Sequence, residues 1–349
     1  MNVKTVYIEI TNRCNLNCQT CYNRSGLNQT TEELSLQDIE NIISLFSSYG
    51  AKRFLFSGGE PTLHSQFDKI LTLIEKNPQY SFGFVTNGTI HNKNFIDFLN
   101  KAENLTLQIS LDGSCEEQNA KTRGVGNFKA ATDFAWQISN PSLHPLLKMV
   151  ISQDNYADIE SFYRMAVSLG CTPEYAFIYK SGNGSEDWDR KKVSPQNKIK
   201  ALTLIDRLNS EFNISAFLPR CTYSCPYTVG SKDMSVCVKT DGSIQPCQTL
   251  YSSEYTLANV LNFRKDTFEE NVCKLISIAK KRSQTDFGCQ KCIVNKICHK
   301  GCLAEAVNLT GDPLGDDDSC LTRKLQFLNF DIKKTDHPPI FSSSTSADS

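Results

Sequence analysis

The sequence predicts an α/β fold, a partial (β/α)6 TIM-like barrel followed by a small, loop-rich and cysteine-rich domain that contains a β-hairpin. From residue 4 to about residue 215, short β-branched or aromatic runs alternate six times with segments of helical period. Ten of the fifteen cysteines then follow residue 220, where the alternation has stopped. We therefore expect a barrel over residues 1–215, a second domain over 216–334, and a disordered polar tail over 335–349.

A strand followed by a helix, repeated along the chain, predicts parallel strands joined by right-handed crossovers. The predicted strands are Thr5–Ile10, Arg53–Ser57, Ser81–Thr86, Leu105–Ser110, Leu146–Ile151 and Glu174–Ile178. The predicted helices cover residues 36–49, 64–76, 92–101, 127–138, 157–168 and 196–212. Ser35 and Asp38 form a capping box at the start of the first helix. Because six units are too few to close an eight-stranded barrel, we expect an open one.

Two further segments have distinct patterns. The polar run at residues 181–189 predicts a flexible loop near the mouth of the barrel, in which Trp188 either contacts substrate or anchors the loop. Val236–Val238 and Ile244 lie on either side of an Asp-Gly turn and predict the β-hairpin of the second domain.

Composition excludes several classes of function. The formal net charge is −1, from 37 basic and 38 acidic residues, so neither a nucleic-acid partner nor a membrane surface is expected. No run approaches the roughly 18 apolar residues of a membrane span. The first residues lack a signal-peptide pattern. Many cysteines without a secretory signal favour metal binding in the cytoplasm over a disulfide framework.

Three cysteines, in the spacing Cys14-x3-Cys18-x2-Cys21, directly follow the first predicted strand. Three thiolates on one loop can hold three irons of a four-iron cluster and leave the fourth iron open to a ligand. A structural zinc loop or a set of buried free thiols is the alternative. Zinc sites usually have paired C-x2-C ligands and a fourth protein ligand, and none follows nearby. The spacing therefore favours the iron-sulfur cluster.

Polar motifs also end the next three predicted strands, where ligands gather in α/β folds. Gly58-Gly59-Glu60 follows the second strand, and adjacent glycines there permit a close backbone approach beside a carboxylate. Asn87 follows the third strand, and Ser110 and Asp112 end the fourth. Each motif is also a turn signal whose side chains could cap a helix or bind a hydroxyl group.

The second cysteine array has its centre in the spacing Cys289-x2-Cys292-x5-Cys298-x3-Cys302, with Cys320 farther on. Thiols that flank a hairpin are typical of metal ligands, and a zinc ribbon is the alternative to iron-sulfur clusters here. The remaining cysteines, Cys115, Cys171 and Cys273, are expected to be ordinary buried thiols.

The C-x3-C-x2-C loop after the first strand resembles the radical S-adenosylmethionine (SAM) superfamily. In that family the open iron is chelated by SAM, and one electron cleaves SAM to a 5′-deoxyadenosyl radical that abstracts hydrogen. The resemblance implies that Gly58-Gly59-Glu60 binds the SAM amino group. It places Ser110 and Asp112 near the ribose or carboxylate, with Arg123 paired to the carboxylate. We also expect SAM contacts from Asn87 and Tyr22; Tyr22 lies near Thr20, which stands where the family commonly has an aromatic residue.

The later cysteines resemble the auxiliary-cluster domain known as SPASM. Its pattern of Gly-x4-Cys, then C-x2-C-x5-C-x3-C, then a lone Cys is matched in order from Gly242 to Cys320. The resemblance implies two sets of ligands: Cys289, Cys292, Cys298 and Cys320 for one cluster, and Cys247 and Cys302 with two upstream thiols for the other. For the upstream pair we choose Cys221 and Cys225, with Cys237 as a rival. SAM and three [4Fe-4S] clusters are then the expected cofactors.

Most relatives of this type modify ribosomally made peptides, so the resemblance predicts a peptide-modifying oxidoreductase of the cytoplasm. A precursor peptide and a flavodoxin- or ferredoxin-type electron donor are the expected partners. Because we expect no amino-terminal leader-binding module before the barrel, either a separate leader-peptide-binding protein supplies that function or the enzyme recognises its peptide directly. A radical dehydrogenase or epimerase of a small polar metabolite is the alternative, and a zinc-binding interaction protein is a third. Oxidation of Ser or Cys to formylglycine is disfavoured, because Gln248 stands where sulfatase-maturing relatives carry an aspartate base.

Overall fold

The computed structural model describes residues 1–26, 31–214, 225–228, 230, 234–285 and 287–326. The first six strands are β1 Val3–Thr11, β2 Arg53–Gly58, β3 Ser81–Thr86, β4 Leu105–Ser110, β5 Leu146–Ile151 and β6 Thr172–Phe177. The last three strands are β7 Met234–Val238, β8 Ser243–Gln245 and β9 Ala258–Asn259.

Thirteen α-helices lie in the described part of the chain. Those of the first half are α1 Leu36–Ser48, α2 Phe67–Glu75, α3 Lys93–Leu99, α4 Glu116–Arg123, α5 Asn127–Trp136, α6 Ile159–Ser168, α7 Trp188–Lys191 and α8 Pro195–Phe212. Those of the second half are α9 Lys265–Gln284, α10 Phe287–Gln290, α11 Asn295–Cys298, α12 Leu303–Thr310 and α13 Cys320–Gln326. None of these helices combines the length and apolar character needed to cross a bilayer.

All nine strands belong to one sheet, in the order β6-β5-β4-β3-β2-β1-β7-β8-β9. Strands β1 to β6 pair in parallel in chain order, as a series of strand-helix units predicts. Strands β6 and β9 are the two edges, so the sheet does not close. The prediction of an open α/β barrel is confirmed.

The predicted hairpin is part of this same sheet. Strand β7 pairs in parallel with β1, for example through Tyr7 and Cys237, and β8 returns antiparallel to β7. Strand β1 therefore has neighbours on both sides, β2 from the barrel and β7 from the cysteine-rich part. The strand that leads into the first cysteine motif is thus fixed by both halves of the chain.

Side chains alternate along the strands between a packed outer layer and a hollow interior. In β4, Leu107 and Ile109 are fully buried, whereas Thr106, Gln108 and Ser110 line an internal cavity. Because successive side chains of a strand point to opposite faces, every second residue of the sheet is available to a ligand. The outer layer packs on amphipathic helices such as α1, which buries Ile39, Ile42, Ile43 and Phe46.

Most predicted elements lie within three residues of their observed bounds, and the Ser35–Asp38 capping box is present. Three expectations differ from the structure. The prediction of a loop-rich second half missed the 20-residue helix α9. The segment at 181–189 contains a 3-10 helix at Gly182–Ser185 and the start of α7, and it is packed on the cysteine loop. Cys115 and Cys273 are exposed; of the three presumed structural thiols, Cys171 is the buried one. The tail at 335–349 lies outside the described residues.

Candidate functional site

One cavity of about 530 Å³ runs through the interior of the open barrel. Its lining includes Cys14, Cys18 and Cys21 of the first motif and Cys225, Cys247 and Cys302 of the second array. Inward side chains of the strands also line it. Two cysteine sets that are far apart in the sequence therefore face the same space.

The loop of the first three cysteines follows β1 and lies at the carboxyl ends of the strands. Burial raises the pKa of Cys14 to about 12. Burial also raises the pKa of Cys18 to about 11, against the opposing effect of the Arg123 guanidinium. Both thiols are therefore protonated at neutral pH until a metal displaces the proton.

The 182–191 segment clamps this loop from the side. Asn183 donates from Nδ2 to the carbonyl of Cys18 (2.9 Å) and from its backbone N–H to the carbonyl of Cys21 (2.8 Å). Lys191, 4 % exposed, donates from Nζ to the carbonyls of Gln19 (3.1 Å) and Asn183 (3.2 Å). A Cβ atom on Gly182 would lie 2.4 Å from the Cys21 carbonyl, so only glycine permits this approach. The sequence analysis missed Asn183 and Lys191, which carry no motif.

Two chain segments approach each other closely at Gly58 and Gly59, and this close approach requires glycine at both positions. Gly58 has a φ of +121°, and a Cβ atom on Gly59 would lie 2.0 Å from the Arg13 carbonyl. The backbone N–H groups of Gly59 and Glu60 donate to the carbonyls of Thr11 (2.8 Å) and Arg13 (2.7 Å). The motif thereby holds the start of the cysteine loop, and both glycines line the cavity.

Glu60 lies behind the cavity wall, 1 % exposed. Its carboxylate accepts hydrogen bonds from the hydroxyls of Thr62 and Thr86 (2.7 Å each) and from the backbone N–H of Asn87 (2.7 Å). Asn87 lines the cavity and donates from Nδ2 to Asn15 Oδ1 (2.9 Å) on the cysteine loop. The side chain of Glu60 therefore fixes neighbouring loops, while Asn87 is the member that faces the cavity.

Asp112, like Glu60, holds neighbouring groups in place. It is fully buried and pairs with Arg123 (Nε to Oδ2, 3.0 Å). It also accepts from Thr20 Oγ1 (3.1 Å) and from the backbone N–H of Val150 (2.8 Å). Burial alone would lower the pKa of Arg123, but Asp112 raises it. Arg123 and Ser110 line the cavity, and Arg123 Nη1 lies 3.8 Å from Cys18 Sγ.

Tyr22 lines the cavity where the barrel meets the hairpin. Gln248 donates from Nε2 to Tyr22 Oη (3.0 Å), and the Tyr22 ring stacks on Tyr251 at 6.3 Å between centroids. Lys239 lies over the Tyr251 ring and pairs with the buried Glu9 (Nζ to Oε2, 2.6 Å). This network connects the end of the cysteine loop to the cysteine-rich half.

The inner auxiliary set consists of Cys225, Cys247 and Cys302, which share the cavity and lie close enough to influence each other electrostatically. The predicted fourth member, Cys221, lies outside the described residues. The rival, Cys237, is fully buried on β7, beside β1, and its thiol lies 3.7 Å from Glu9 Oε1. Burial raises the pKa of Cys237 well above its usual value, and Cys237 does not line the cavity.

The outer auxiliary set lines a second cavity of about 320 Å³, which brings together Cys289, Cys292, Cys298 and Cys320. Arg323 donates from Nε to Cys298 Sγ (3.2 Å) and forms a two-point ion pair with Asp317 (2.6 and 2.8 Å). Both partners of this pair are buried. A guanidinium beside thiolates stabilises their negative charge.

These cysteine sets fit multi-iron clusters. Within the described part of the chain, no three His, Cys, Asp or Glu side chains converge closely enough to hold a single metal ion. A four-iron cluster does not require such convergence, because each thiolate binds a different iron. A cavity that has space for the cluster and is bordered by three or four thiols is the arrangement that such a cluster needs.

Comparisons with known proteins agree with this geometry. Residues 8–135 match the model of the radical SAM superfamily. The chain is 25 % identical over 324 residues to the mycofactocin maturase MftC of Mycolicibacterium smegmatis, covering 90 % of this chain and 81 % of the relative.

Among solved structures, Streptococcus suis SuiB bound to S-adenosylmethionine has a TM-score of 0.75 at 16 % identity, covering 91 % of this chain and 77 % of SuiB. Native anSMEcpe with bound AdoMet and Kp18Cys peptide has a TM-score of 0.75 at 17 % identity, covering 95 % of this chain and 97 % of that one. These structures share the fold, and the matched domain spans the first cysteine loop and the glycine motif. Residues 8–135 of the chain therefore form a radical SAM domain.

Proposed function

We propose that this enzyme is a maturase that uses a SAM-derived radical to cross-link or otherwise oxidise a ribosomally made peptide. The observation that carries the proposal is the one cavity that both the first cysteine loop and three of the later cysteines line. A substrate in that cavity would share it with a site that starts a radical and a site suited to electron transfer. The relationship to MftC, a maturase, over nine tenths of the chain supports the same class of substrate.

SAM and a [4Fe-4S] cluster are the cofactors of this enzyme class. When bound, the reduced cluster supplies the electron that cleaves SAM to the hydrogen-abstracting radical. We propose Cys14, Cys18 and Cys21 as its ligands. Gly58, Gly59, Asn87, Ser110, Arg123 and Tyr22 line the space beside them and are the proposed SAM contacts. Glu60 and Asp112 are proposed to act indirectly, by holding Asn87 and Arg123.

Two further clusters complete the proposal. Cys289, Cys292, Cys298 and Cys320 would hold one, and Cys225, Cys247 and Cys302 with Cys221 would hold the other. All of these cysteines lie in the second half of the chain, at 216–334, which is the proposed auxiliary domain. Support comes from the grouping of the described members of each set around one cavity.

The proposed partners are a precursor peptide, a flavodoxin- or ferredoxin-type electron donor and a separate leader-peptide-binding protein. The alternatives of a small-metabolite enzyme and a zinc-binding interaction protein are not favoured by the relatives. Formylglycine formation remains disfavoured, because Gln248 lines the cavity and donates to Tyr22, and an amide cannot accept the substrate proton at neutral pH.

The test is anaerobic reconstitution with iron and sulfide, reduction with dithionite, addition of SAM, and chromatography for 5′-deoxyadenosine. The matched control is the triple variant with Cys14, Cys18 and Cys21 changed to Ala. We expect product from the wild type alone, and about twelve irons per chain if all three clusters form. Product that increases with a small peptide encoded beside the gene would identify the substrate. A fully iron-loaded wild type that forms no 5′-deoxyadenosine would refute the proposed function.

A further inference from the structure

A charged pair lies inside the barrel and lines the same cavity as the two cysteine sets. Lys148 on β5 and Glu174 on β6 are direct partners in the parallel ladder, and Nζ of Lys148 lies 2.9 Å from Oε1 of Glu174. Both side chains line the cavity. Charges at inward positions of two otherwise apolar strands were a visible sequence signal, although the sequence analysis did not use it.

The pair is incompletely satisfied. Glu174 is 6 % exposed, and within the described structure its second carboxylate oxygen, Oε2, is buried without a hydrogen-bond partner. Lys148 contacts Gln108 Oε1 (3.4 Å) as well as Glu174, which leaves one of its three ammonium hydrogens for another acceptor. An unused acceptor and an unused donor thus belong to one pair of residues that lines the cavity.

A buried acceptor without a partner is unfavourable, and more so when it is charged, so its retention beside a cavity points to a ligand. An adjacent acceptor and donor match one residue of an extended peptide, whose N–H and C=O point to the same side, as in an antiparallel strand pair. Other charged or polar groups near Glu174 are Arg53, which donates to Thr106 Oγ1 (2.9 Å), and the Tyr7 hydroxyl.

We propose that Lys148 and Glu174 form a substrate subsite that binds the backbone N–H and C=O of one extended peptide residue. The N–H donates to Glu174 Oε2, and the C=O accepts from Lys148 Nζ. This inference rests on the proposed function and makes it specific, because it holds the peptide by its backbone within the cavity that both cysteine sets border.

The first test needs no variant of the protein. Three probes are titrated against the iron-loaded wild type with SAM, followed by saturation-transfer NMR: N-acetylalanine N′-methylamide, its ester analogue in which oxygen replaces the alanine N–H, and N-acetylalanine as the free acid. We expect the amide to bind about tenfold or more tightly than the ester, because the ester places an oxygen against the Glu174 carboxylate. Equal binding of amide and ester, tighter binding of the free acid, or no binding of the amide overturns the proposal.

The second test uses Glu174→Gln. In this variant the amide oxygen remains towards Lys148, so an NH2 group faces the probe N–H, and we expect the preference for the amide over the ester to disappear. Iron content and circular dichroism establish that the variant is folded. A folded Glu174→Gln protein with the wild-type preference overturns the subsite. The wild type's formation of 5′-deoxyadenosine does not depend on this result, so failure of the subsite and failure of the proposed function are distinguishable.

Discussion

Replacing Asp112 with asparagine tests whether this carboxylate supports the site through Arg123. Asparagine keeps the size of the side chain and still offers an oxygen to the Val150 N–H, so the change mainly removes one charge. The substitution would leave the Arg123 guanidinium without its carboxylate partner. This guanidinium is buried, because the Arg123 side chain is 10 % exposed and that of Asp112 is fully buried. Removing one partner of a buried ion pair costs about 3–5 kcal/mol.

The matched control is Asp133→Asn, which removes the carboxylate of the Lys129–Asp133 pair on the surface of α5, where the side chains are 79 % and 46 % exposed. Exposed pairs of this kind contribute about 0–1 kcal/mol. We expect guanidinium unfolding of the anaerobic protein to show a loss of about 3 kcal/mol or more for Asp112→Asn and less than about 1 kcal/mol for Asp133→Asn.

Binding of SAM gives a second readout, because Arg123 loses the partner that orients it. We expect equilibrium dialysis to show affinity at least about tenfold weaker for Asp112→Asn, equivalent to about 1.4 kcal/mol, and unchanged affinity for Asp133→Asn. If the two variants unfold within about 1 kcal/mol of each other and bind SAM equally well, the positioning role of Asp112 is wrong.

Three more substitutions test other parts of the site. Lys191→Gln removes a buried cation that is hydrogen-bonded to the cysteine loop. Because the loss of this positive charge destabilises the reduced cluster, we expect a more negative midpoint potential in a reductive titration. The variant Lys192→Gln, at the exposed neighbouring residue, should leave the potential unchanged. Gly59→Ala would force apart the glycine motif and the cysteine loop, so iron retention on a desalting column should fall; retention like that of the wild type would contradict the close approach. Cys237→Ser should keep the wild-type iron and sulfide content, whereas Cys302→Ser should lose about four irons; the reverse result would make Cys237 a ligand.

The parallel strands and the edge of the sheet at which the first cysteine motif lies could be predicted because each depends on local sequence. Ser81–Thr86 and Leu146–Ile151 were predicted with their observed bounds, since turn residues limit both apolar runs. The cysteine and glycine motifs follow β1 and β2, so parallel pairing brings their ends to one edge of the sheet. A motif placed by its strand needs no knowledge of distant packing.

Contacts between distant segments could not be predicted in this way. The sequence does not indicate that Lys191 turns inward while Lys192 turns outward, because that difference depends on how the 182–191 segment packs on the cysteine loop. The packing of Glu60 and Asp112 could not be predicted for the same reason. The Glu60 carboxylate accepts from the backbone N–H of Asn87, and the Asp112 carboxylate pairs with Arg123, contacts that the motifs do not indicate.

The pairing of β7 with β1 explains why the two cysteine sets share one cavity. The loop that carries Cys14 follows the carboxyl end of β1, while the strand beside it, β7, begins the hairpin that leads to Cys247. A shift of β7 by one residue against β1 would turn every inward side chain of the hairpin outward, since strand side chains alternate in direction. It would also separate Lys239 from Glu9 and Gln248 from Tyr22, both of which join the hairpin region to the first half. The register of one strand pair therefore sets the position of the inner auxiliary cysteines relative to the first cysteine loop.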